Sequence, residues 1–319
     1  MIIVNLILAI IPSILIGLYL YKKDHNKESK GILIKLFFGG IGSCFLTLAI
    51  TYGIGAVFPG LIPSSQTSAT TNIIVLFFQV MLGVALIEEF SKWFFAYFIG
   101  YKSREFDEIY DILLYCGFVA LGFATFENVL YVFTSEQSIT TALLRAVTAV
   151  PGHVCDAIFM GYYLGIAKRH ETRGDKSNKN KYVALAIIVP MFTHGLYDFL
   201  IMSGSGLLVL VWLVFVILVY IYVIKKIRDI SKAQKTIYHA PEDNTVPVNN
   251  VYYPQQQNTF GMNSMYGNQP GSYTQMPAAY PTQAIDNANI NHVVNTYCPN
   301  CGAHVPTGNF CGSCGTKIR

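Results

Sequence analysis

The chain has 319 residues, of which 53% are hydrophobic and 13% charged, and its formal net charge is +4. Mean hydropathy is +0.42, and several apolar runs reach about 20 residues, the length that crosses a bilayer as a helix. This composition excludes an ordinary soluble domain. The positive charge comes from loop lysines, so no nucleic-acid partner is expected. We therefore predict an all-α, polytopic transmembrane helix bundle.

Seven apolar segments are predicted to span the membrane and to form one transmembrane domain over residues 1–235. Their ranges are 2–21, 32–58, 72–100, 109–133, 139–167, 182–202 and 205–224. Lys or Arg residues follow segments one, three, five and seven, whereas loops 59–71, 134–138 and 203–205 contain none. The positive-inside rule then places the N-terminus outside and the C-terminal tail in the cytoplasm of a cell-membrane protein. The first segment is expected to be a retained span, because no positive residue precedes it and no cleavable signal is evident.

The tail divides into a linker and a cysteine cluster. Residues 236–297 are rich in Asn, Gln, Tyr and Pro and lack Lys and Arg, which predicts a disordered linker. Residues 298–319 contain two C-x-x-C pairs, and this spacing predicts a small cytoplasmic zinc ribbon with one structural zinc. A reducing cytoplasm disfavours the alternative of two disulfides. The expected ligands are Cys298, Cys301, Cys311 and Cys314. Such a ribbon is expected to bind a cytoplasmic protein partner.

The other three cysteines, Cys44, Cys116 and Cys155, are scattered through apolar spans. We expect them to be buried packing residues, since free cysteine behaves as a small hydrophobic side chain.

Ionisable residues within the spans point to a functional site, because a charge in hydrocarbon is costly. Glu88 and Glu89 are adjacent in the third span, and Lys92 lies one helical turn after Glu88. Glu88 and Lys92 are therefore expected to neutralise each other. Glu89, rotated about 100° on the helix, then needs a partner from another span.

Later spans supply polar pairs spaced one helical turn apart. They are Glu127 with Tyr131, His153 with Asp156, and His194 with Asp198. A carboxylate one turn from an imidazole can fix its tautomer and raise its basicity. Helix rise brings the two histidines and the Glu88–Glu89 pair to a common depth, with Glu127 nearer the outer boundary.

Each residue also has a purely structural interpretation. A lone histidine often joins two membrane helices by a hydrogen bond, and Glu88 with Lys92 could be a structural ion pair. Tyr131 could anchor at the interface, Asp156 could be a spare acceptor, and Arg145 could extend to the headgroups. The combination of three glutamates and two histidines favours a site over these separate interpretations.

The motifs resemble, in order, those of the PrsW family of intramembrane proteases over most of residues 72–202. They are Glu88-Glu89-x-x-Lys92, Phe126-Glu127-x-x-x-Tyr131, Pro151-Gly-His153 followed by Met160-Gly-Tyr-Tyr-Leu-Gly, and His194-x-x-x-Asp198. The CAAX prenyl endopeptidases are more distantly similar, and they have a histidine where this chain has Tyr131. The linker and the zinc ribbon lie outside the resemblance.

The resemblance implies an intramembrane endopeptidase, a metalloendopeptidase that cleaves a membrane-anchored protein. An anti-sigma factor of a stress response, cut in a site-1-type step, is the implied substrate class. The implied catalytic residues are Glu88, Glu89, Glu127, His153, His194 and Asp198, with Lys92 and Tyr131 in support.

A mechanism can be written for these residues. One of Glu88 or Glu89 is the general base for water, and His153 and His194 either hold a catalytic zinc or bind the oxyanion. Two histidines and a carboxylate suit such a zinc site, but the sequence has no H-E-x-x-H helix. Zinc-held and metal-free water both stay open.

Two other function classes remain open. A non-enzymatic membrane receptor or scaffold could use the buried polar network for helix packing and the zinc ribbon for docking. A transporter could use the same residues as a proton relay, although the segments show no repeated half-bundle symmetry.

Overall fold

A computed structural model of the chain describes residues 2–63, 72–135, 138–238, 296–297 and 304–305. The helices are α1 (Ile2–Lys23), α2 (Lys30–Val57), α3 (Ile73–Phe78), α4 (Leu86–Phe95), α5 (Ile109–Thr134), α6 (Ser138–Val147), α7 (Ala149–Thr172), α8 (Lys176–Met202) and α9 (Gly206–Tyr238), with a short 3₁₀ turn at Pro59–Leu61.

Seven helical segments among the described residues are long and apolar enough to cross a membrane. They are Val4–Lys23, Lys30–Val57, Ile73–Tyr101, Ile109–Thr134, Ile139–Thr172, Lys176–Met202 and Gly206–Gln234. The prediction of an all-α, seven-span integral membrane protein is thus confirmed.

Two of the spans are interrupted in ways the apolar pattern does not reveal. The third span contains π-helical turns at Gln79–Ala85 and Ala96–Tyr101, on either side of α4. The fifth span breaks between α6 and α7 at Thr148. π-Helical turns occur frequently at functional sites, and both interruptions adjoin the polar residues described below.

Local side chains define several helix starts. Ser29 accepts a hydrogen bond from the backbone N–H of Ile32 at the start of α2, and Asn72 does the same for Ile74 before α3. Glu108 and Asp111 form a reciprocal capping box at the start of α5. These bonds satisfy N–H groups that have no partner within the helix.

Helix α5 is the central helix, and 83% of its most apolar 18-residue stretch is buried in the protein. It packs extensively on both α7 and α2, and two glycines permit backbone contact with α2. A Cβ at Gly122 would lie 1.9 Å from the carbonyl oxygen of Phe37, and one at Gly40 would lie 2.0 Å from that of Val119. Small residues are what allow membrane helices to approach this closely, so the interface fixes the position of α5 and of the site residues it carries.

Helix α9 lies at the edge of the bundle, and only 11% of its most apolar 18-residue stretch is buried in the protein. It packs against α7, α8 and α5. Its outer face carries large exposed aliphatic side chains, among them Leu207, Leu210 and Leu218. This is the composition of a lipid-facing helix.

The tail is described over short stretches. Helix α9 continues past Lys235 to Tyr238, and strand β1 (Thr296–Tyr297) pairs antiparallel with β2 (His304–Val305). The four tail cysteines and most of the predicted linker lie outside the described residues. The three cysteines of the spans are free and buried, as predicted.

Candidate active site

Four helices bring the predicted polar residues together inside the bundle. Helix α4 carries Glu88, Glu89 and Lys92, α5 carries Glu127, α7 carries His153 and Asp156, and α8 carries His194 and Asp198. All are buried or half-buried, whereas Tyr131 is 49% exposed. The π-helical turn Gln79–Ala85 ends shortly before the two glutamates. Because a π turn holds an extra residue, it resets the face on which they project.

Lys92 links the adjacent glutamates. Its Nζ lies 2.8 Å from Oε1 of Glu89 and 3.4 Å from Oε2 of Glu88. The predicted Glu88–Lys92 pair therefore exists, but Glu89 is the closer partner of the ammonium. The same Nζ lies 3.1 Å from Nδ1 of His153 and 4.0 Å from the ring centroid of Phe123. One buried cation thus serves two carboxylates, an imidazole and an aromatic face.

His194 has a carboxylate at each ring nitrogen. Nδ1 lies 2.8 Å from Oε1 of Glu89, and Nε2 lies 3.3 Å from Oδ2 of Asp198 and 3.8 Å from Oε2 of Glu88. This supplies Glu89 with the partner from another span that the sequence required. Since carboxylates only accept hydrogen bonds, the arrangement suits a doubly protonated ring.

His153 has the opposite environment. Its Nδ1 faces the Lys92 ammonium, which can only donate, so Nδ1 accepts. Its Nε2 then carries the hydrogen and donates to Oε2 of Glu127 at 2.8 Å. Neighbouring groups therefore select the neutral Nε2–H tautomer of His153. The predicted role of Asp156 in orienting this ring is instead filled by Glu127.

Arg145 and Asn128 belong to the same network, although neither was predicted from the sequence to be a site residue. Nη2 of Arg145 lies 2.6 Å from Oε2 of Glu127, and its Nε donates to Oδ1 of Asn128 at 2.7 Å. The guanidinium also lies 4.1 Å from the ring centroid of Tyr131. The side chain thus pairs inside the protein rather than extending to headgroups. An arginine in one span and a glutamate without a partner in the preceding span were the available signal.

Asp156 is buried between α7 and α8. Its Oδ1 accepts a hydrogen bond from Oγ1 of Thr193 at 2.5 Å. Thr193 directly precedes His194, so this bond ties the position of the histidine on α8 to α7. Thr193 carries no charge, and its sequence position gave no signal of this contact.

A cavity of about 530 Å³ adjoins this network. Its polar lining includes Glu88, Glu127, His153, His194 and Asp198, and Arg145 also contributes. Glu89 is 0% exposed and does not belong to the lining, whereas the side chain of Glu88 is 12% exposed. The two adjacent glutamates therefore differ: Glu88 reaches the cavity, and Glu89 lies beneath it.

Within this network, two overlapping groups of the described side chains could hold a metal ion. In one, Glu89, His153, Asp156 and His194 each offer a ligand atom within 4.8 Å of the others. The second comprises Glu88, Glu127 and His153. Imidazoles with carboxylates are a donor set that zinc accepts.

An unsatisfied atom in the first group also favours an ion. Oε2 of Glu89 is buried and has no hydrogen-bond partner among the described residues, and a buried carboxylate oxygen is expected to have one. The donors therefore fit a divalent metal. Lys92 already bonds Glu89 and His153. A metal ion and this ammonium would therefore compete for the same carboxylate oxygen and ring nitrogen.

Comparison with known proteins identifies the family. The family model of the PrsW family intramembrane metalloproteases matches residues 28–224. The chain belongs to this family. The matched range contains every residue of the network described above and excludes the tail. No solved structure matches the chain.

Curated relatives from several bacteria agree with the PrsW assignment. The protein named Protease PrsW of Oceanobacillus iheyensis is 35% identical over 219 residues, which cover 69% of this chain and 92% of the relative. That of Clostridioides difficile is 31% identical over 238 residues, covering 73% and 92%. That of Bacillus subtilis is 31% identical over 198 residues, covering 62% and 82%. The chain is thus a PrsW-family intramembrane protease, and the receptor and transporter alternatives are set aside.

Proposed function

We propose that this protease hydrolyses a peptide bond of a membrane-anchored protein with a water molecule activated by Glu88. The observation that carries the proposal is that Glu88 reaches the cavity while Glu89 is sealed beneath it. A general base must lie within hydrogen-bond reach of the water it deprotonates. Between the two glutamates, this requirement favours Glu88.

The reaction transfers one proton in each direction. The Glu88 carboxylate takes a proton from water as the water oxygen attacks the carbonyl carbon of the substrate. Glu88 then gives this proton to the nitrogen of the leaving amine as the C–N bond breaks. Lys92 holds the carboxylate in place throughout, because its Nζ bonds both glutamates.

His194 is the proposed donor to the developing oxyanion. Its Nε2 faces the cavity side of the ring, between Asp198 and Glu88. A hydrogen on Nε2 can move its bond from Asp198 to the substrate oxygen as negative charge develops there. The hydrogen bond from Nδ1 to Glu89 stays in place throughout and holds the ring in position.

A divalent metal, zinc in the simplest case, would be held by Glu89, His153, Asp156 and His194. When bound, it would supply Lewis-acid polarisation of the substrate carbonyl or of the attacking water. If His194 binds the metal, the ring nitrogen that binds it must first lose its proton. Zinc binding and the hydrogen-bonded arrangement of His194 are therefore alternatives, which a chelator distinguishes.

The proposed site of cleavage is near the outer end of a substrate span. The cavity is lined by Pro63, in the loop 59–71, and by Met202, next to the loop 203–205, and both loops lack Lys and Arg. If positive loops are cytoplasmic, the N-terminus is outside and the cavity lies in the outer half of the bilayer. A first, site-1-type cut of an anti-sigma factor would occur at this depth.

The proposed function is tested with the full chain in proteoliposomes containing single-span test substrates. The expected result is cleavage near one end of the substrate span, with a strong chelator added in parallel. Loss of activity with chelator and recovery with zinc would support the metal-held mechanism, whereas full activity with chelator would support metal-free water. No cleavage of any membrane-anchored substrate would contradict the proposal.

Orientation has a separate test on intact cells. A cysteine introduced at 59–71 is expected to react with an impermeant thiol reagent, and one introduced at 176–181 is not. The reverse labelling pattern would contradict the proposed orientation.

For the tail, we propose one structural zinc bound by the cysteines Cys298, Cys301, Cys311 and Cys314, in a ribbon that docks a cytoplasmic protein. The two C-x-x-C pairs support this proposal. Truncation after Tyr238, where α9 ends, is expected to remove one zinc per chain and leave the helix bundle folded. An unchanged zinc content in the truncated protein would contradict it.

A further inference from the structure

The fifth span contains a carbonyl group that its own helix cannot satisfy. In a continuous helix, the C=O of Val147 would accept from the N–H of residue 151. Residue 151 is Pro151, which has no N–H. The helix is also broken here, since α6 ends at Val147, Thr148 has φ −118° and ψ −68°, and α7 begins at Ala149. Sequence and backbone together leave this acceptor without a helical donor.

A side chain from another span takes the donor's place. The hydroxyl of Tyr220, on α9, lies 2.6 Å from the carbonyl oxygen of Thr148 and 3.3 Å from that of Val147. Thr148 also accepts from the N–H of Gly152 at 2.9 Å. The single hydroxyl hydrogen of Tyr220 is therefore directed mainly at Thr148, and Val147 keeps only the longer contact, although an unsatisfied carbonyl within a bilayer is costly.

These carbonyls adjoin the active-site cavity. Thr148, Gly152 and Tyr220 line the same cavity as Glu88. A Cβ placed on Gly152 would meet the ring of Tyr197 only at 4.0 Å, so the backbone beside the carbonyls borders open space. Irregular backbone at membrane depth is tolerated where it lines such a cavity.

The donor sits on the least buried span of the bundle. Only 11% of the most apolar 18-residue stretch of α9 is buried, yet the helix supplies Phe215, Val216 and Val219 to the cavity wall beside Tyr220. Displacing α9 would therefore remove part of the wall and the Tyr220 hydroxyl together.

We propose that the carbonyls of Val147 and Thr148 are a binding site for backbone N–H groups of an extended peptide segment, with the Tyr220 hydroxyl occupying the site until that segment arrives. This inference rests on the proposed function. A peptide bond within a substrate helix must leave the helix before water can attack it, and its N–H groups then need new acceptors. Extended peptides commonly bind through main-chain hydrogen bonds of this kind.

The test measures peptide binding to the full chain in nanodiscs, with Glu88→Gln to prevent turnover. The probe is a lysine-flanked single-span peptide with glycines at its centre, and a matched series in which single central amides are replaced by esters. Each ester removes one N–H. We expect one or two positions at which the ester weakens binding about 3- to 10-fold, the effect of one hydrogen bond.

Two variants link that effect to the break. Pro151→Ala restores an N–H that can close on Val147, so sensitivity to the ester should disappear. Tyr220→Phe removes the competing hydroxyl, so the all-amide peptide should bind more tightly. Tyr222→Phe is the matched control, because Tyr222 lies on the same helix and stacks on Phe159 instead. It should leave binding unchanged.

Several results would overturn the proposal: no sensitive position, equal sensitivity in Pro151→Ala, or no binding of the peptide at all. Should Pro151→Ala fail to fold, Tyr220→Phe decides, and an affinity equal to that of Tyr222→Phe would contradict the site. Cleavage of membrane-anchored substrates by the active chain is scored separately, so failure of the proposed function can be told from failure of this site.

Discussion

Oε1 of Glu89 lies 2.8 Å from Nδ1 of His194, across the interface between α4 and α8. The same oxygen lies 2.8 Å from Nζ of Lys92. Glu89 is thus committed to holding a histidine and a lysine in place, while its neighbour Glu88 reaches the cavity. Glu88 and Glu89 are adjacent on one helix, but their side chains project in different directions and therefore have different roles.

Lys92 is expected to be the main stabilising charge of the network. Lys92→Met would leave two buried carboxylates without their cation, and removing one partner of a buried pair typically costs about 3–5 kcal/mol. We expect a clear fall in the thermal unfolding temperature of the purified protein in detergent. Lys92→Arg is the matched control and should retain most of the stability. A Met variant as stable as the wild type would contradict the pairing.

Arg145 is expected to act through Glu127 on His153. Arg145→Gln frees Glu127 to move, and the His153 ring loses its fixed orientation, so activity should fall about 10- to 100-fold, as for other residues that orient a site histidine. Glu127→Gln should have a similar effect. The double variant should be no worse than either single one, because the three groups form one chain of contacts. Additive losses in a double-mutant cycle of cleavage rates would show that the two residues act independently.

Asp198 lies 3.3 Å from Nε2 of His194 and is expected to orient it. Asp198→Asn keeps the shape of the side chain and one acceptor oxygen, so we expect about a 10- to 100-fold loss of kcat. Glu105→Gln, at an exposed carboxylate outside the network, is the control and should cleave normally. Complete loss of activity in Asp198→Asn would instead assign Asp198 a direct chemical role.

Glu28, in the loop between α1 and α2, is expected to make stability depend on pH. Burial raises the pKa of its carboxyl above the ordinary value, and nearby Asp24 adds to this, while the hydrogen bond from Tyr115 opposes it. Folding thus favours the neutral form. The contribution to stability is complete below the unfolded pKa, about 4.3, and is lost as the pH rises through the folded value.

Glu28→Gln removes this titration while keeping an acceptor for Tyr115. The variant should match the wild type at pH 4 and unfold at a higher temperature than the wild type at pH 8. Unfolding temperatures measured from pH 4 to 8 check this, with Glu105→Gln as control. A wild-type protein that gains stability relative to Glu28→Gln on going from pH 4 to pH 8 would contradict it.

The sequence was sufficient for the spans because hydrophobic length alone determines them. Turn spacing also identified the His194–Asp198 contact and the need of Glu89 for a partner from another helix. Contacts between helices were harder to predict from the sequence. That Lys92 favours Glu89 over Glu88, and that Arg145 pairs with Glu127, depends on how α4, α5 and α6 are rotated. A π-helical turn and a helix break set those rotations, and apolar periodicity carries little signal of either.

The most direct test of the mechanism is the cleavage rate of Glu88→Gln beside that of Glu89→Gln, each with its unfolding temperature, in proteoliposomes with a single-span substrate. Gln keeps the shape of Glu88 but cannot accept a proton from water, so Glu88→Gln should lose at least about 100-fold in rate with its unfolding temperature unchanged. Glu89→Gln should lose both rate and stability, because it weakens the contacts to Lys92 and His194. A Glu88→Gln protein that cleaves at the wild-type rate would contradict the assignment of Glu88 as the base.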